Sequence, residues 1–197
     1  MRIIGVTGPT GSGKTVLTEY FSGLGIPTID ADALYHSMLV PPSRCLDAIR
    51  DAFGEQVIAA DGSLDRTVLS EIVFSDAEKL KLLNKTVLKM VIERTREIIA
   101  ELEVQGNTCV MVDAPTLIEA EFDKECDAVV VVIAPKEDRI LRISERDGID
   151  ECHARDRVMA QKPDEFYTDV ADYVIINDKG EQEYSSEIRR LASKLGF

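Results

Sequence analysis

The residues most able to do chemistry stand at positions 8–15, which read Gly-Pro-Thr-Gly-Ser-Gly-Lys-Thr and directly follow the apolar run Ile3–Val6. A strand, a glycine-rich loop and a helix start in this order place backbone N–H groups and the positive end of a helix around a polyphosphate. Lys14 is placed to reach the β- and γ-phosphates, and the Thr15 hydroxyl to ligate Mg²⁺. The pattern therefore predicts a P-loop that binds a nucleoside triphosphate. Its predicted nucleotide-binding residues are Gly11, Ser12, Gly13, Lys14 and Thr15.

Two carboxylates stand at the end of a predicted second strand: Asp30 is its last residue and Asp32 follows it. In an open α/β sheet this carboxyl edge is where ligands bind. One of the two would accept the proton of an attacking hydroxyl or hold Mg²⁺ through water, whereas the alternative role is to cap a helix that begins near Ala33. The two roles can be divided between them, and the upstream loop favours Asp32 as the base. His36 shares a helix face with Asp32 and is either a phosphate contact or an exposed side chain.

A third acidic candidate, Asp113, ends the apolar run Cys109–Val112 in the manner of a Walker-B carboxylate near Mg²⁺. Its alternative role is to open the turn at Pro115. Glu119, in a predicted helix, is a weaker candidate.

Basic residues gather in the segment 136–161. Arg139, Arg142 and Arg146 fall on one side of a predicted helix, where they would neutralise charge on a γ-phosphoryl group as a lid closes. A solvated charged face is the alternative, and Arg142 is the first candidate for a functional arginine. Asn177 either hydrogen-bonds a base edge or belongs to an ordinary turn.

These side chains need a sheet to position them, and the chain alternates strands and helices accordingly. The predicted strands are Arg2–Thr7, Thr28–Asp30, Thr108–Asp113, Ala128–Ala134 and Tyr173–Asn177. The predicted helices are Lys14–Leu24, Cys45–Phe53, Arg66–Phe74, Ala77–Val104 and Tyr184–Leu195, with two more in Lys136–Gln161 around a turn at Asp147-Gly148. The pattern predicts an α/β fold, a parallel sheet with helices on both faces. We expect a nucleotide-binding core at 1–34, 107–135 and 165–197, a helical acceptor-binding region at 35–106 and a lid at 136–164.

The composition of the chain limits the kinds of partner that it can bind. The chain has 197 residues, 45% hydrophobic and 30% charged, with a net charge of −13. That acidity argues against a broad nucleic-acid or anionic membrane surface, and the longest apolar run, Ala128–Ala134, is far shorter than the roughly 18 residues of a membrane span. The four scattered cysteines predict reduced thiols and a cytoplasmic location.

A further set of motifs follows the loop in a fixed order. It comprises Gly25-Ile-Pro-Thr-Ile-Asp-Ala-Asp32, Phe53-Gly54, Asp61-Gly-Ser-Leu-Asp-Arg66, Val73-Phe74, Leu83-Asn84, Val112-Asp-Ala-Pro-Thr-Leu-Ile-Glu119, Arg146-Asp-Gly148, Arg157-Val-Met-Ala-Gln161 and Ala171-Asp-Tyr-Val-Ile-Ile-Asn177. With these motifs the chain resembles the dephospho-CoA kinase family over nearly its whole length. The resemblance implies ATP-dependent phosphorylation of the ribose 3′-hydroxyl of dephospho-CoA, the last step of coenzyme A synthesis, with Mg²⁺ as cofactor. The sequence leaves the oligomeric state open, and a monomer is favoured.

The resemblance also implies individual roles. Asp32 matches the family's catalytic carboxylate, Lys14 and Thr15 its phosphate and Mg²⁺ positions, and Arg142 its lid arginine, while Asn177 would lie beside adenine. Three positions depart from the family pattern, all in the expected acceptor region: His36 replaces an arginine, Pro41-Pro42 a Pro-Gly, and Val87-Leu88 a His-Pro.

Other functions stay open at this point. They are another small-molecule P-loop kinase, such as a nucleoside monophosphate kinase, a non-catalytic relative, and a nucleotide-dependent switch. The last is disfavoured, because Asn84-Lys-Thr-Val87 lacks the aspartate of a guanine-reading motif.

Overall fold

The computed structural model describes all residues from Met1 to Phe197, which form two compact units. The first comprises Met1–Ile29 and Leu102–Phe197, and the second is the continuous segment Asp30–Glu101.

A single five-stranded parallel sheet carries the fold, with strand order β2-β3-β1-β4-β5. The strands are β1 (Arg2–Thr7), β2 (Thr28–Asp30), β3 (Cys109–Asp113), β4 (Ala128–Ile133) and β5 (Tyr173–Ile176). The interior strands β3 and β4 are almost wholly buried, which explains their unbroken β-branched and apolar sequence. The predicted α/β class is confirmed, and each strand ends within one residue of its predicted bounds.

Nine α-helices accompany the sheet: α1 (Lys14–Gly23), α2 (Ala31–Met38), α3 (Arg44–Phe53), α4 (Arg66–Phe74), α5 (Ala77–Val104), α6 (Lys136–Asp147), α7 (Glu151–Met159), α8 (Asp164–Thr168) and α9 (Glu181–Leu195). None of them is both long and apolar enough to cross a lipid bilayer.

One face of the sheet packs against α1 and α9. Ile4 and Val6 of β1 are fully buried there together with Leu17 and Phe21 of α1. The helix α9 adds Ile188 and further apolar side chains to the same core. This packing fixes the start of α1 directly beyond the end of β1, so the loop between them has rigid supports on both sides.

The other face of the sheet is closed in part by the segment that follows β3. A Cβ atom on Gly5 would lie 2.7 Å from Leu117 Cδ2 and 2.8 Å from Cys126 Sγ, so a larger residue would have to displace these two side chains. Burial raises the pKa of the Cys126 thiol to about 12, which keeps that thiol neutral and inert. Cys126 therefore packs like any small apolar side chain.

The helix predicted around Glu119 is absent, and that prediction was wrong. Residues 115–121 form consecutive turns, ending at Glu121 with a left-handed φ of 54°. Ala120 N–H donates to Thr116 O, but Phe122 N–H donates to Leu117 O five residues back. The hydrogen-bond spacing of an α-helix is therefore not sustained.

In the second unit, helices α2 to α4 and most of α5 surround a separate apolar core. Ile49 and Val57 are fully buried at its centre. The helices α2, α3 and α4 begin at side-chain caps from Asp30, Ser43 and Asp65, which explains their bounds.

The helices α6 and α7 form a hairpin with its own small core of Ile140, Ile143, Ala154 and Val158. As predicted, α6 ends at Gly148, whose φ of 63° gives the left-handed C-terminal conformation that glycine favours. The hairpin belongs to the first unit.

Candidate active site

The loop between β1 and α1 has the conformation of an anion-binding site. Gly8 has φ 136°, and a Cβ atom there would lie 2.1 Å from Val132 O, so the loop backbone passes directly over β4. The helix α1 has Gly13 as its N-cap, and therefore no capping side chain, and it has no acidic residue in its first turn. Its first N–H groups are therefore the kind of donors that bind phosphate.

The carbonyl oxygens of this loop are held by donors from elsewhere in the first unit. Arg142 Nη1 lies 3.2 Å from Gly11 O and 3.4 Å from Ser12 O. Asn177 Nδ2 donates to Ser12 O at 2.9 Å, and the Tyr184 hydroxyl donates to Gly13 O at 2.8 Å. Because its carbonyl groups are engaged, the loop keeps one orientation of its peptide planes.

Burial raises the pKa of Tyr184, which is 4% exposed. The phenol is therefore a neutral donor at ordinary pH. Sequence reasoning missed Tyr184, because a tyrosine on the buried side of an amphipathic helix predicts packing only.

The side chains of Lys14 and Ser12 in this loop favour the binding of an anion. Lys14 Nζ donates to Gly8 O at 2.9 Å and approaches Pro9 O at 3.4 Å, so its ammonium group lies along the loop. The Ser12 Oγ atom is buried and has no hydrogen-bond partner within the protein. Leaving a buried hydroxyl unpaired is costly, and an oxygen-rich ligand on the loop would relieve that cost.

Thr15 and Asp113 supply the oxygen atoms that fit Mg²⁺. Thr15 is exposed in the first turn of α1. The β1–β3 register pairs Val6 with Asp113, and Ala114 N–H donates to Val6 O at 3.0 Å. The carboxylate of Asp113 thus stands at the carboxyl end of β3, beside the strand that enters the loop.

The roles of Asp30 and Asp32 are divided. Asp30 is the N-cap of α2, since its Oδ1 accepts hydrogen bonds from the N–H groups of Asp32 and Ala33, both at 2.9 Å. Asp32 is exposed in the first helical turn, and His36 is exposed one turn further along the same helix. The capping interpretation therefore applies to Asp30, and Asp32 is not required as a cap.

The three arginines of α6 have three different environments. Arg142 contacts the loop and lies 4.0 Å from Asp138. Arg146 forms an exposed ion pair with Asp147 at 2.7 Å. Arg139 is 1% exposed and turned under the loop, where burial lowers the pKa of its guanidinium group.

Asn177 directly follows β5 and is 7% exposed. Its amide supports the P-loop through Ser12, and its predicted contact with adenine stays a prediction. Gln161, which was noted only as part of a motif, also reaches the loop, because its Oε1 accepts from Thr10 N–H at 3.0 Å.

A parallel sheet with a strand–loop–helix phosphate cradle, a lysine on the loop and an arginine on the loop's carbonyl oxygens defines a P-loop kinase. Solved structures share this fold across the whole chain. The family model for dephospho-CoA kinase (CoaE) matches residues 2–183. The chain belongs to the dephospho-CoA kinase family.

Curated relatives match most of this chain. The dephospho-CoA kinase of Corynebacterium glutamicum is 34% identical over 195 residues, covering 99% of this chain and 100% of the relative. The dephospho-CoA kinase of Arabidopsis thaliana is 38% identical over 178 residues, covering 90% of this chain and 77% of the relative.

Among solved structures, TT1252 from Thermus thermophilus aligns with a TM-score of 0.79 and 29% identity, over 100% of this chain and 98% of that one. The dephospho-CoA kinase from Campylobacter jejuni aligns with a TM-score of 0.72 and 25% identity, over 99% and 98% of the two chains. The shikimate kinase from Bacteroides thetaiotaomicron, at a TM-score of 0.57 and 18% identity over 100% and 99% of the chains, shares the fold alone.

Proposed function

We propose that this protein transfers the γ-phosphoryl group of ATP to the ribose 3′-hydroxyl of dephospho-CoA, giving coenzyme A. The observation that carries the proposal is the built phosphate cradle at Gly8–Thr15 in a chain whose family is that of dephospho-CoA kinase. An uncapped helix start and a loop lysine are what a phosphoryl-transfer site needs, since most of its catalysis is positioning and charge stabilisation.

Asp32 is the proposed general base. Its neighbour Asp30 satisfies the N-terminal N–H groups of α2, so the Asp32 carboxylate is not needed for capping. It would accept the proton of the 3′-hydroxyl as the oxygen attacks the γ-phosphorus in line with the leaving ADP.

Lys14 and Arg142 are proposed to stabilise the negative charge that spreads over the transferred group. Both are already at the loop, with Lys14 Nζ on Gly8 O and Arg142 Nη1 near Gly11 O. When a nucleotide binds, these donors would move a short way from carbonyl oxygens to phosphate oxygens. Charged donors that are placed beforehand avoid the cost of reorganisation during the reaction.

Mg²⁺ is the proposed cofactor, and Thr15 and Asp113 would hold it. Magnesium is usually bound by one or two protein oxygens together with water and substrate phosphates, which matches a site with no cluster of three or more His, Cys, Asp or Glu side chains. When bound, the ion supplies positive charge that neutralises the phosphate oxygens. Asn177 is proposed to contact adenine from its position after β5.

The remaining parts of the proposal concern the regions around the core. Residues 1–34, 107–135 and 165–197 would bind the nucleotide, residues 35–106 the acceptor, and the hairpin region 136–164 would act as a lid that excludes water.

The test is mass spectrometry of the product after incubation with ATP, Mg²⁺ and dephospho-CoA. We expect a mass increase of one phosphoryl group on the 3′-hydroxyl, confirmed by cleavage with a 3′-nucleotidase. Parallel reactions with nucleoside monophosphates and shikimate as acceptors are the specificity controls. Faster transfer to any of these, or ATP turnover that does not rise when dephospho-CoA is added, would contradict the proposal.

A further inference from the structure

The two ends of the α6–α7 hairpin meet at one residue of the P-loop, Thr10. Arg139, in the first turn of α6, donates from Nε to Thr10 O at 3.0 Å. Gln161, just after α7, accepts from Thr10 N–H at 3.0 Å through its Oε1. Arg139 Nη2 donates to the same Oε1 at 2.5 Å. These three hydrogen bonds form a closed ring, and both main-chain polar groups of Thr10 belong to it.

The burial of Arg139 shows that this ring is not a surface contact. The residue is 1% exposed, and the nearest carboxylate oxygen, on Asp164, is 3.8 Å from its Nη1. A buried guanidinium group is costly unless its N–H groups are satisfied. Two of the acceptors for the Arg139 guanidinium group are Thr10 O and Gln161 Oε1. The burial of this charge and the conformation of the loop therefore depend on each other.

Packing around Gly11 supports the same arrangement. Gly11 has φ 77°, and a Cβ atom there would lie 2.9 Å from Arg139 O and 3.1 Å from Arg139 Cα. One turn later Arg142 reaches the carbonyl oxygens of Gly11 and Ser12. The first two turns of α6 therefore rest on Thr10–Ser12, the stretch that leads into the N–H groups of the phosphate cradle.

We infer that Arg139 and Gln161 are positioning residues for nucleotide binding: their ring with Thr10 fixes the two peptide planes on either side of Thr10, within the loop that forms the cradle, and seats the base of the hairpin on the same loop. The inference rests on the proposed function only for the identity of the nucleotide, ATP. Preorganisation of this kind improves affinity, because the loop does not have to be ordered when the ligand binds.

The Oε1 atom of Gln161 accepts two of the three hydrogen bonds of the ring, and this gives a sharp test. Gln161→Met keeps the size of the side chain and removes the acceptor, whereas Gln161→Glu keeps an acceptor oxygen at the same place. We expect Gln161→Met to weaken ATP binding, measured by calorimetry without acceptor, by about tenfold, the scale of one lost hydrogen bond to a charged group. The KM for ATP should rise in parallel, while the KM for dephospho-CoA stays within about twofold, because the ring holds the nucleotide loop. Gln161→Glu should restore ATP affinity to within about threefold.

The matched control is Arg155→Gln, which breaks an exposed two-bond ion pair between Arg155 and Glu137 in the same hairpin. It should leave ATP affinity unchanged, because exposed ion pairs contribute little. Equal ATP affinity in Gln161→Met and the wild type would overturn the inference, and so would an equal loss in Gln161→Glu or in the control. If Gln161→Met does not fold, Gln161→Asn, which is one methylene too short for both partners, carries the same expectations.

These outcomes are separable from failure of the proposed function. A wild-type protein that binds ATP but transfers nothing to dephospho-CoA would contradict the proposed function, while the calorimetric comparison would still decide the role of the ring.

Discussion

At the scale of single residues, Asp30 and Asp32 show how two identical side chains two positions apart acquire different tasks. Asp30 has a β-region backbone before the helix, so its carboxylate folds back onto the first N–H groups of α2. Asp32 already has helical geometry and cannot do so. Sequence alone could name both roles but not assign them, because the assignment depends on which residue is the first with helical dihedral angles.

This division predicts different outcomes for one chemical change. Asp32→Asn should lower kcat by about two to four orders of magnitude, the usual scale for loss of a general base, and leave ATP binding intact. Asp30→Asn is the matched control: asparagine caps helices as well as aspartate does, so kcat and thermal stability should change little. Steady-state kinetics and calorimetry of both variants provide the check, and an Asp32→Asn enzyme with full kcat would remove Asp32 from the mechanism.

A second prediction concerns His36, one of the three positions that depart from the family pattern, in which arginine is expected here. An arginine has a permanent charge and a donor fork suited to phosphate. If His36 contacts the acceptor, His36→Arg should lower the KM for dephospho-CoA by about three- to tenfold, the scale of one added charged hydrogen bond, with the KM for ATP unchanged. Initial rates at varied acceptor concentration measure this, and an unchanged or higher acceptor KM would show that His36 is only a surface residue.

At the scale of elements, the P-loop owes its shape to its neighbours as much as to its glycines. Its carbonyl groups are engaged from α6, α9 and the residue after β5. A loop that carried this motif without those three supports would have the same sequence and a less defined conformation. The sequence motif therefore identifies the loop, whereas the contacts from the rest of the first unit determine its conformation.

Tyr184→Phe tests the support from α9. The change removes the donor to Gly13 O and leaves the ring packing in place, so we expect the free energy of unfolding to fall by about 1 kcal/mol and the KM for ATP to rise. Because burial raises the pKa of Tyr184, the phenol stays protonated in both folded and unfolded protein up to about pH 9, and the difference between the proteins should not change between pH 6 and 9. Urea unfolding at several pH values measures it.

Tyr173→Phe, at the start of β5, is the control for removing a tyrosine hydroxyl from the same core. A Tyr184→Phe protein as stable as the wild type, with an unchanged KM for ATP, would show that the Gly13 contact contributes nothing.

The elements were largely predictable because their ends carry explicit local signals. Both bounds of α4 and α5 were predicted correctly, since Asp65 marks the start of α4 and Gly106 stands just beyond the end of α5. The turns around Glu119 were not predictable in this way: the local sequence permits a helix, whereas in the structure Leu117 packs against Gly5 from a series of turns. Likewise, spacing could not tell buried Arg139 from Arg142, because only the tertiary contact with Thr10 distinguishes them.

At the scale of the whole molecule, the net negative charge of the protein repels its negatively charged substrates. A protein with a net charge of −13 repels polyanions at long range, while the basic groups of the P-loop and of α6 are proposed to attract the substrates at contact distance. Salt screens the distant repulsion first, since the Debye length falls from about 30 Å at 0.01 M to about 10 Å at 0.1 M.

We therefore expect kcat/KM for dephospho-CoA to rise by about twofold or more between these ionic strengths. Initial rates in potassium acetate at constant free Mg²⁺ would measure this. A steady decline with salt would mean that attraction at the site outweighs the global field.

The continuity of the segment Asp30–Glu101 has a practical consequence. The chain leaves the sheet after β2 and returns through α5 before β3. The second unit is therefore joined to the first at only two points in the sequence. A chimera that exchanged this one stretch with the equivalent piece of a different P-loop phosphotransferase would leave the triphosphate cradle and its supports untouched. Under the proposed role of residues 35–106 in acceptor binding, such an exchange would transfer the choice of acceptor together with this one segment.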